Sequence, residues 1–301
     1  MVKVVFKKEE ANCITHSGTM HADEVFATAF LDLYLGNVNV FRTNNVNPNE
    51  VGENVLVYDI GRGKFDHHQL DAEKRDNGIT YSSFGLLWRE FGKDFLKKSD
   101  FQNIDDLWLE IDKDLVEGID ADDNGVFPKI EAPYKAKTLP NIIKIFNPSF
   151  SSGEDESTQF MKAVALAQSI IEEEIYYTNG KVIASKKVNE LLEENDPNSK
   201  YLVLDEFLPY EDAILNNEKA NNLLFVAFPS NRGGYAVKTI SKSIDDKTPR
   251  LSFPEEWAGL QDEELETKSG IKGLKFCHTG RFIINCSDID VVYQVLNLLC
   301  K

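Results

Sequence analysis

The chain contains five histidines, and four of them, His16, His21, His67 and His68, fall within its first 70 residues among acidic side chains. Imidazoles set beside carboxylates form the donor set of a divalent-cation site. Mixed nitrogen and oxygen ligands suit Mn, Zn, Co or Fe better than the all-oxygen shells of Mg or Ca. Manganese is the first expectation, with Mg2+, Co2+ and Zn2+ behind it. The densest group is Thr15-His16-Ser17-Gly18-Thr19-Met20-His21-Ala22-Asp23-Glu24, directly downstream of the apolar pair Cys13-Ile14. A strand there delivers the segment to the carboxyl edge of a sheet, where open α/β folds place their sites, and His16, His21 and Asp23 can then converge. Asp59 follows the apolar run Val55-Leu56-Val57-Tyr58, the position at which a second strand would present a bridging metal ligand. Gly61 and Gly63 let the chain turn sharply after it.

Asp66-His67-His68 supplies a carboxylate and two imidazoles in consecutive positions. Extended, they cannot all point one way. One histidine can bind metal while its neighbour faces substrate, and Asp66 can fix an imidazole tautomer from behind. Further on, a helix ending at Ile119 runs into Asp120-Ala121-Asp122-Asp123-Asn124-Gly125, where Asp120 and Asp123 share a face at i, i+3. A late carboxylate ligand is expected from this pair, with Asp123 able to serve as ligand or as support behind one. Asp122, Asp71, Glu73 and Asp76 read as solvated charges, and Asp23-Glu24 alone would pass as the acidic start of a helix. The set, not any one member, points to a metal site.

The elements that must position these residues follow from hydrophobic periodicity. Glu24 to Leu35 reads as a helix, Val38 to Arg42 as a strand and Val55 to Ile60 as a buried strand, a βαβ pattern that implies a mainly parallel sheet. The opening MVKVVFKKEE reads as an edge strand. Tyr81 to Leu96 and Phe101 to Ile119 read as helices, Glu131 to Gly153 as a long surface loop, and Ser157 to Glu194 as helical with Gly180 as an interruption. Asn195-Asp196-Pro197-Asn198 then breaks the pattern. Beyond it, strand-like runs at Tyr201 to Leu204, Leu223 to Phe228, Tyr235 to Ile240 and Lys275 to Ile284 precede a helix from Asp288 to Leu299. The expected fold class is α/β: an N-terminal metal-binding catalytic domain over 1–195, ending in linker helices, and a smaller C-terminal α+β domain over 200–301 for substrate.

Composition narrows the function classes. With 42% apolar residues and 11% aromatic, the chain is globular. No apolar stretch is long enough to span a bilayer, so no membrane partner is expected, and the start lacks the apolar core of a signal peptide. The four cysteines have no C-x-x-C or framework spacing, which suits a reducing, intracellular compartment and excludes zinc-finger and disulfide scaffolds. A net charge of -17 argues against coating long nucleic acid. It permits a phosphate substrate, because bound cations reverse the local sign of an acidic pocket.

These motifs resemble the DHH phosphoesterase superfamily, which includes RecJ nucleases and family II pyrophosphatases; Asp66-His67-His68 is the namesake motif. More closely, THSGTMHADE at 15–24, YDIGRGKFDHHQ at 58–69, SSFGLLW at 82–88, GIDADDNG at 118–125 and FPEEWAGLQDEELETKSGIKGLKFCHTGRFI at 253–283 are similar to the Myg family, named for a melanocyte proliferating gene product. The resemblance covers nearly the whole chain. It implies a DHH-type N-terminal domain and a two-metal phosphodiesterase, within the Myg family a 3'-to-5' exoribonuclease releasing nucleoside monophosphates. By motif match, His16, His21 and Asp59 would hold one cation, and Asp23, Asp59, His67 and Asp120 the other, with His68 facing the phosphate. Many DHH enzymes carry Asp where this chain has His21. The glycine-rich phosphate motif of RecJ-type C-terminal domains is absent in that form; Arg232-Gly233-Gly234 and His278-Thr279-Gly280-Arg281 are candidate substitutes, while Trp257 reads as core. The expected partner is RNA or a short oligonucleotide, in the cytoplasm, nucleus or mitochondrion. Two other readings stand beside it: hydrolysis of a small phosphoanhydride or short oligonucleotide, and a metal-stabilised interaction module without turnover.

Overall fold

Four short strands, β1 (Val2–Val5), β2 (Cys13–His16), β3 (Val38–Thr43) and β4 (Leu56–Val57), make an all-parallel sheet in the order β1-β3-β2-β4. Parallel neighbours need a crossover, and α1 (Ala22–Leu35) supplies the one between β2 and β3. Every residue of α1 from Ala22 to Asp32 is buried. A helix covered all round has no polar stripe, which is why its periodicity is weak. Gly36, at φ +77°, ends it in the left-handed conformation and donates to the Asp32 carbonyl. The expected edge strand is β1, and the expected 55–60 strand shortens to Leu56–Val57, because Tyr58 already bridges Phe65 and Asp59 turns away.

This structure is a computed structural model that describes residues 2–300. Met1 and Lys301, the outer limits of the two expected domains, lie outside the described residues. The chain divides between Gly180 and Lys181 into two compact units.

In the first unit, α2 (Ser83–Lys98) packs beside α1, followed by α3 (Ile104–Ile111), a single π-helical turn over Asp112–Val116, and α4 (Glu117–Asp123). The helix expected to stop at Ile119 thus continues to Asp123 and carries the acidic run inside its last turn. Trp88 and Trp108 lock α2 to α3 by donating to each other's carbonyl, at 3.4 and 3.1 Å. The expected 131–153 loop contains a short helix, α5 (Leu139–Lys144), whose Ile143 is fully buried. A 39-residue helix, α6 (Glu156–Glu194), runs through Gly180 without the expected interruption, and the boundary between the units falls inside it.

The second unit holds β5 (Tyr201–Val203), α7 (Glu211–Leu215), β6 (Phe225–Pro229), β7 (Tyr235–Thr239), α8 (Asp262–Ser269), β8 (Leu274–Cys277), β9 (Ile283–Cys286) and α9 (Ile289–Leu299). Its sheet order is β5-β6-β7-β9-β8, with β5 parallel to β6 and the remaining pairs antiparallel. Lys275 to Ile284 is a hairpin, not one strand. Arg281 adopts φ +55° and donates its N–H to the His278 carbonyl at 2.8 Å, reversing the chain. Trp257 is buried in the core of this unit.

Candidate metal centre

The 15–24 segment leaves the end of β2 and is held from three sides. Arg42, on the neighbouring β3, donates to the carbonyls of His16 (3.2 Å) and Gly18 (3.1 Å) and pairs with Glu156 (2.7 Å). Glu156 also accepts the Gly18 N–H at 2.9 Å. Asn147 grips both polar groups of Met20, accepting its N–H at 2.8 Å and donating to its carbonyl at 2.9 Å. His21 then caps α1, and Glu24 accepts its N–H at 2.8 Å. His16 Nδ1 donates to the Ser17 carbonyl at 3.0 Å. That bond fixes the tautomer and leaves Nε2 as the donor atom, 3.1 Å from Asp59 Oδ2 and 3.3 Å from Glu24 Oε1.

Asp59 is buried at φ +54°, a left-handed conformation that costs energy for a residue with a side chain. Its N–H donates to Phe65 at 3.0 Å, closing a turn in which Gly61 sits at φ +84°. A Cβ at Gly61 would lie 2.9 Å from Pro48 and from the Val46 carbonyl. The turn sets Asp66-His67-His68 beside Asp59, with His67 Nδ1 3.8 Å and His68 Nδ1 3.7 Å from Asp59 Oδ1. The two imidazoles stack at 4.3 Å instead of pointing apart. Asp66 accepts from His68 Nδ1 at 2.7 Å and from the Arg62 N–H at 2.5 Å. Burial works against its charge, but these bonds win and hold its carboxyl below the usual range.

The late carboxylate in the cluster is Asp123. Its Oδ2 is 2.8 Å from His67 Nε2 and its Oδ1 3.8 Å from His21 Nδ1. Asp120 is placed elsewhere: fully buried, it accepts from Ser82 Oγ (2.6 Å), the Gly85 N–H (3.1 Å) and Arg75 Nη2 (2.6 Å). It caps the start of α2 from outside the helix. Arg75 also pairs with Asp112 in the π turn and lies over the Tyr81 ring. Ser83 donates to Asp23 at 2.8 Å. The serines of SSFGLLW therefore hold two different carboxylates, and a Cβ at Gly85 would overlap Asp120.

Like charges are concentrated in this pocket. Burial, then the charges of Asp59, Asp123 and Glu24, push Asp23 well above the ordinary carboxylate range. Burial also raises Glu24. Burial alone would lower His16, but Asp59 and Glu24 overcome it and hold the imidazolium up to about 11. His67 is raised by Asp123 against its own burial. A cation answers this arrangement, and the unsatisfied atoms fit one. His16 Nε2, Asp23 Oδ1, Asp59 Oδ1 and His67 Nδ1 are all buried without a well-directed hydrogen bond, and buried polar atoms left so require an ion or water. Asp59 with Asp66, His67 and His68, His16 with His21 and Glu24, and His21 with Asp23 and Asp123 each bring their donor atoms within 4.8 Å of one another.

Of the sequence-expected residues, His16, His21, Asp23, Asp59, Asp66, His67, His68 and Asp123 come together, and Asp120 does not. In the second unit, Arg232 is exposed in the turn before β7, while His278 and Arg281 form the turn before β9. Because Tyr235 pairs with Cys286 and Lys238 with Ile283, those turns lie at opposite ends of the β7–β9 ladder and cannot converge on one phosphate. His278 Nδ1 accepts the Gly280 N–H at 2.9 Å, and its ring packs on Phe282 at 4.3 Å. Sequence reasoning missed Glu24, which hides as helix N-terminal charge, and Arg42, Asn147 and Glu156, which no local pattern ties to the site.

Together these features define a mixed α/β protein with a histidine–carboxylate cluster, able to bind metal, at the carboxyl edge of a parallel sheet. The chain belongs to the MYG1 exonuclease family, matched over residues 12–298 and described as an uncharacterised protein family (UPF0160). It is 28% identical to MYG1 protein YER156C of Saccharomyces cerevisiae, over 99% of this chain and 97% of that protein. It is 29% identical to a MYG1 protein of Dictyostelium discoideum (89% and 90% covered) and 26% identical to MYG1 exonuclease of Homo sapiens (89% and 80%). Among solved structures it is similar to RecJ in complex with Mg2+ from Thermus thermophilus. That likeness has 15% identity and a TM-score of 0.27, over 97% of this chain and 50% of the other. Among the described residues no helix is long and apolar enough to cross a membrane.

Proposed function

We propose that this chain is a metal-dependent phosphodiesterase that shortens RNA or short oligonucleotides from the 3' end and releases nucleoside monophosphates. The observation that carries the reading is the convergence of buried, unsatisfied imidazole and carboxylate atoms on one pocket. The exonuclease name borne by the human relative gives the bond type. In this reading His16, His21 and Asp59 hold one divalent cation and Asp23, Asp59, His67 and Asp123 a second, manganese being the first choice. Asp123 takes the place expected of Asp120. When bound, such cations supply Lewis acidity and charge neutralisation at a phosphodiester.

The protein's own residues do the rest. His68 is 59% exposed, and Asp66 holds its Nδ1–H, so Nε2 is the atom that meets a phosphate or protonates the leaving oxygen. Asp66 keeps that tautomer through every turnover. Arg42, Asn147 and Glu156 hold the backbone between His16 and His21 so that both imidazoles arrive in place. The second unit is assigned to substrate, through His278 and Arg281 at one end of its sheet or Arg232 at the other. An intracellular setting, in the cytoplasm, nucleus or mitochondrion, accords with four free cysteines.

The net charge of -17 favours a second reading, hydrolysis of a short oligonucleotide or small phosphoanhydride over long RNA. Initial rates on a dinucleotide, a 12-mer and inorganic pyrophosphate, each with manganese and with chelator, separate the two. Turnover of the nucleotides in proportion to their 3' ends supports the exonuclease; turnover of pyrophosphate alone supports the phosphoanhydride reading.

A further inference from the structure

The segment from Val126 to Phe150 departs from the rest of the chain in two independent ways. Within a protein of net charge -17, it carries four lysines against the single Glu131, a net charge of +3. Lys129, Lys135, Lys137 and Lys144 are all exposed and close no ion pair among the described residues, whereas Lys64, Lys93 and Lys98 each do. The segment also concentrates apolar exposure. Among the described residues twenty large apolar side chains are exposed, and seven of them fall in these 25 positions. Three are aromatic: Phe127 is 65% exposed, Tyr134 72% and Phe150 wholly so. Large apolar side chains clustered in water mark a binding surface.

Both ends of this segment are fixed at the metal cluster. At its start, the Val126 N–H donates to Ala121 at 2.8 Å, and Asn124 donates to the carbonyls of Asp120 and Thr80, directly after Asp123. Toward its end, Asn147 holds the Met20 peptide that leads into His21. Between them, α5 buries Ile143 in the core, and Lys144 acts on the carboxyl of Asp122. The segment thus begins three residues after Asp123 and, three residues before its end, is tied to the peptide that precedes His21.

Exposed aromatics interleaved with unpaired lysines are what single-stranded nucleic acid requires: ring faces for bases and cations for the backbone. We propose that residues 126–150 form the path along which a single-stranded oligonucleotide reaches the metal cluster, with Phe127, Tyr134 and Phe150 stacking bases and Lys129, Lys135 and Lys137 meeting phosphates. This rests on the phosphodiesterase reading for its direction, but not for its test. The positive border also reconciles a strand substrate with an acidic protein, because the favourable field is confined to the approach.

Binding is measured apart from hydrolysis, by fluorescence anisotropy of labelled oligouridylates of 2, 6 and 12 nucleotides with the full chain in chelator at several salt concentrations. Affinity should rise with length. F127A and Y134A should each weaken the 12-mer about tenfold, and the K129Q/K135Q/K137Q variant should reduce the salt slope by about 2. Circular dichroism and melting of these surface variants should match wild type. Variants that bind with wild-type affinity and salt slope would overturn the path, as would a wild-type protein that ignores strand length. Self-association that F127A abolishes, alongside unaltered oligonucleotide binding, would also overturn it by assigning the surface to a second copy. Loss of metal-dependent hydrolysis with length-dependent binding intact would remove the phosphodiesterase reading and leave the strand path standing.

Discussion

Asp123 Oδ2 lies 2.8 Å from Nε2 of His67, joining the end of α4 to the turn that follows Asp59. One helical turn earlier, Asp120 is bound to Ser82, Gly85 and Arg75. Two aspartates on one helix are therefore held differently, one facing the histidine cluster and one holding α2 and the 75–81 segment in place.

Their substitutions should separate accordingly. D123A should lower manganese affinity and turnover while costing the apo protein less than D120A does, because it gives up the single His67 pair and relieves the charge that Asp123 places on Asp23. D120A takes the acceptor from a buried hydroxyl and a helix N–H and leaves Arg75 with Asp112 alone, and should cost about 3 kcal/mol or more. Urea unfolding of both apo variants, paired with metal titrations, checks this; equal stability losses would contradict the division.

Burial lifts the Asp120 carboxyl to about 6 from an ordinary 3.8, against the pull of Ser82 and Arg75. A carboxyl raised on folding contributes stability that is complete below its unfolded pKa and is lost as pH climbs through the folded value. The window is about pH 4 to 6 and the loss on the order of 3 kcal/mol. Asp120→Asn should lack this loss. Between pH 4 and 7 the stability difference should shift in the variant's favour, and melts at both values would show no shift if Asp120 titrates normally.

Gly85 approaches Asp120 so closely that a side chain there would overlap the carboxylate. G85A should destabilise the fold by about 2 kcal/mol or more, although alanine is the better helix former. Thermal melts decide it, and a stabilised G85A would show that the contact relaxes freely.

Asn147 acts on His21 only through the Met20 backbone. N147A should reduce metal affinity by about 10- to 100-fold, the range expected when support behind a ligand is lost. The stability cost should be near 1 kcal/mol. Full metal affinity in N147A would show that the 16–21 loop is held well enough by Arg42 and Glu156 alone.

Much of this site can be read from the chain before it folds, for identifiable reasons. His16 and Asp59 each end an apolar run, and in a parallel sheet neighbouring runs finish at the same edge, so their approach follows from β2 lying between β3 and β4. The α/β class and the helix at 22–35 follow from the same alternation. The choice between Asp120 and Asp123 cannot be read, because both lie on one helical face and the deciding partner, Arg75, comes from a separate turn. Glu24 is hidden because an acid at a helix start needs no further reason to be there. The turn at His278–Arg281 is hidden because Phe276 and Phe282 keep the apolar pattern running across it, and the separation of Arg232 from Arg281 depends on strand register, which no local motif encodes.

The cluster around Asp59 should hydrolyse phosphodiesters when metal is bound. The most direct measurement is product analysis of a short oligoribonucleotide labelled at its 5' end, incubated with the protein and manganese, beside a chelated control and the D59N variant. The expected result is a ladder shortening from the 3' end with wild type and metal only. An intact oligonucleotide, in protein shown by elemental analysis to contain metal, or a ladder of equal strength from D59N, would contradict it.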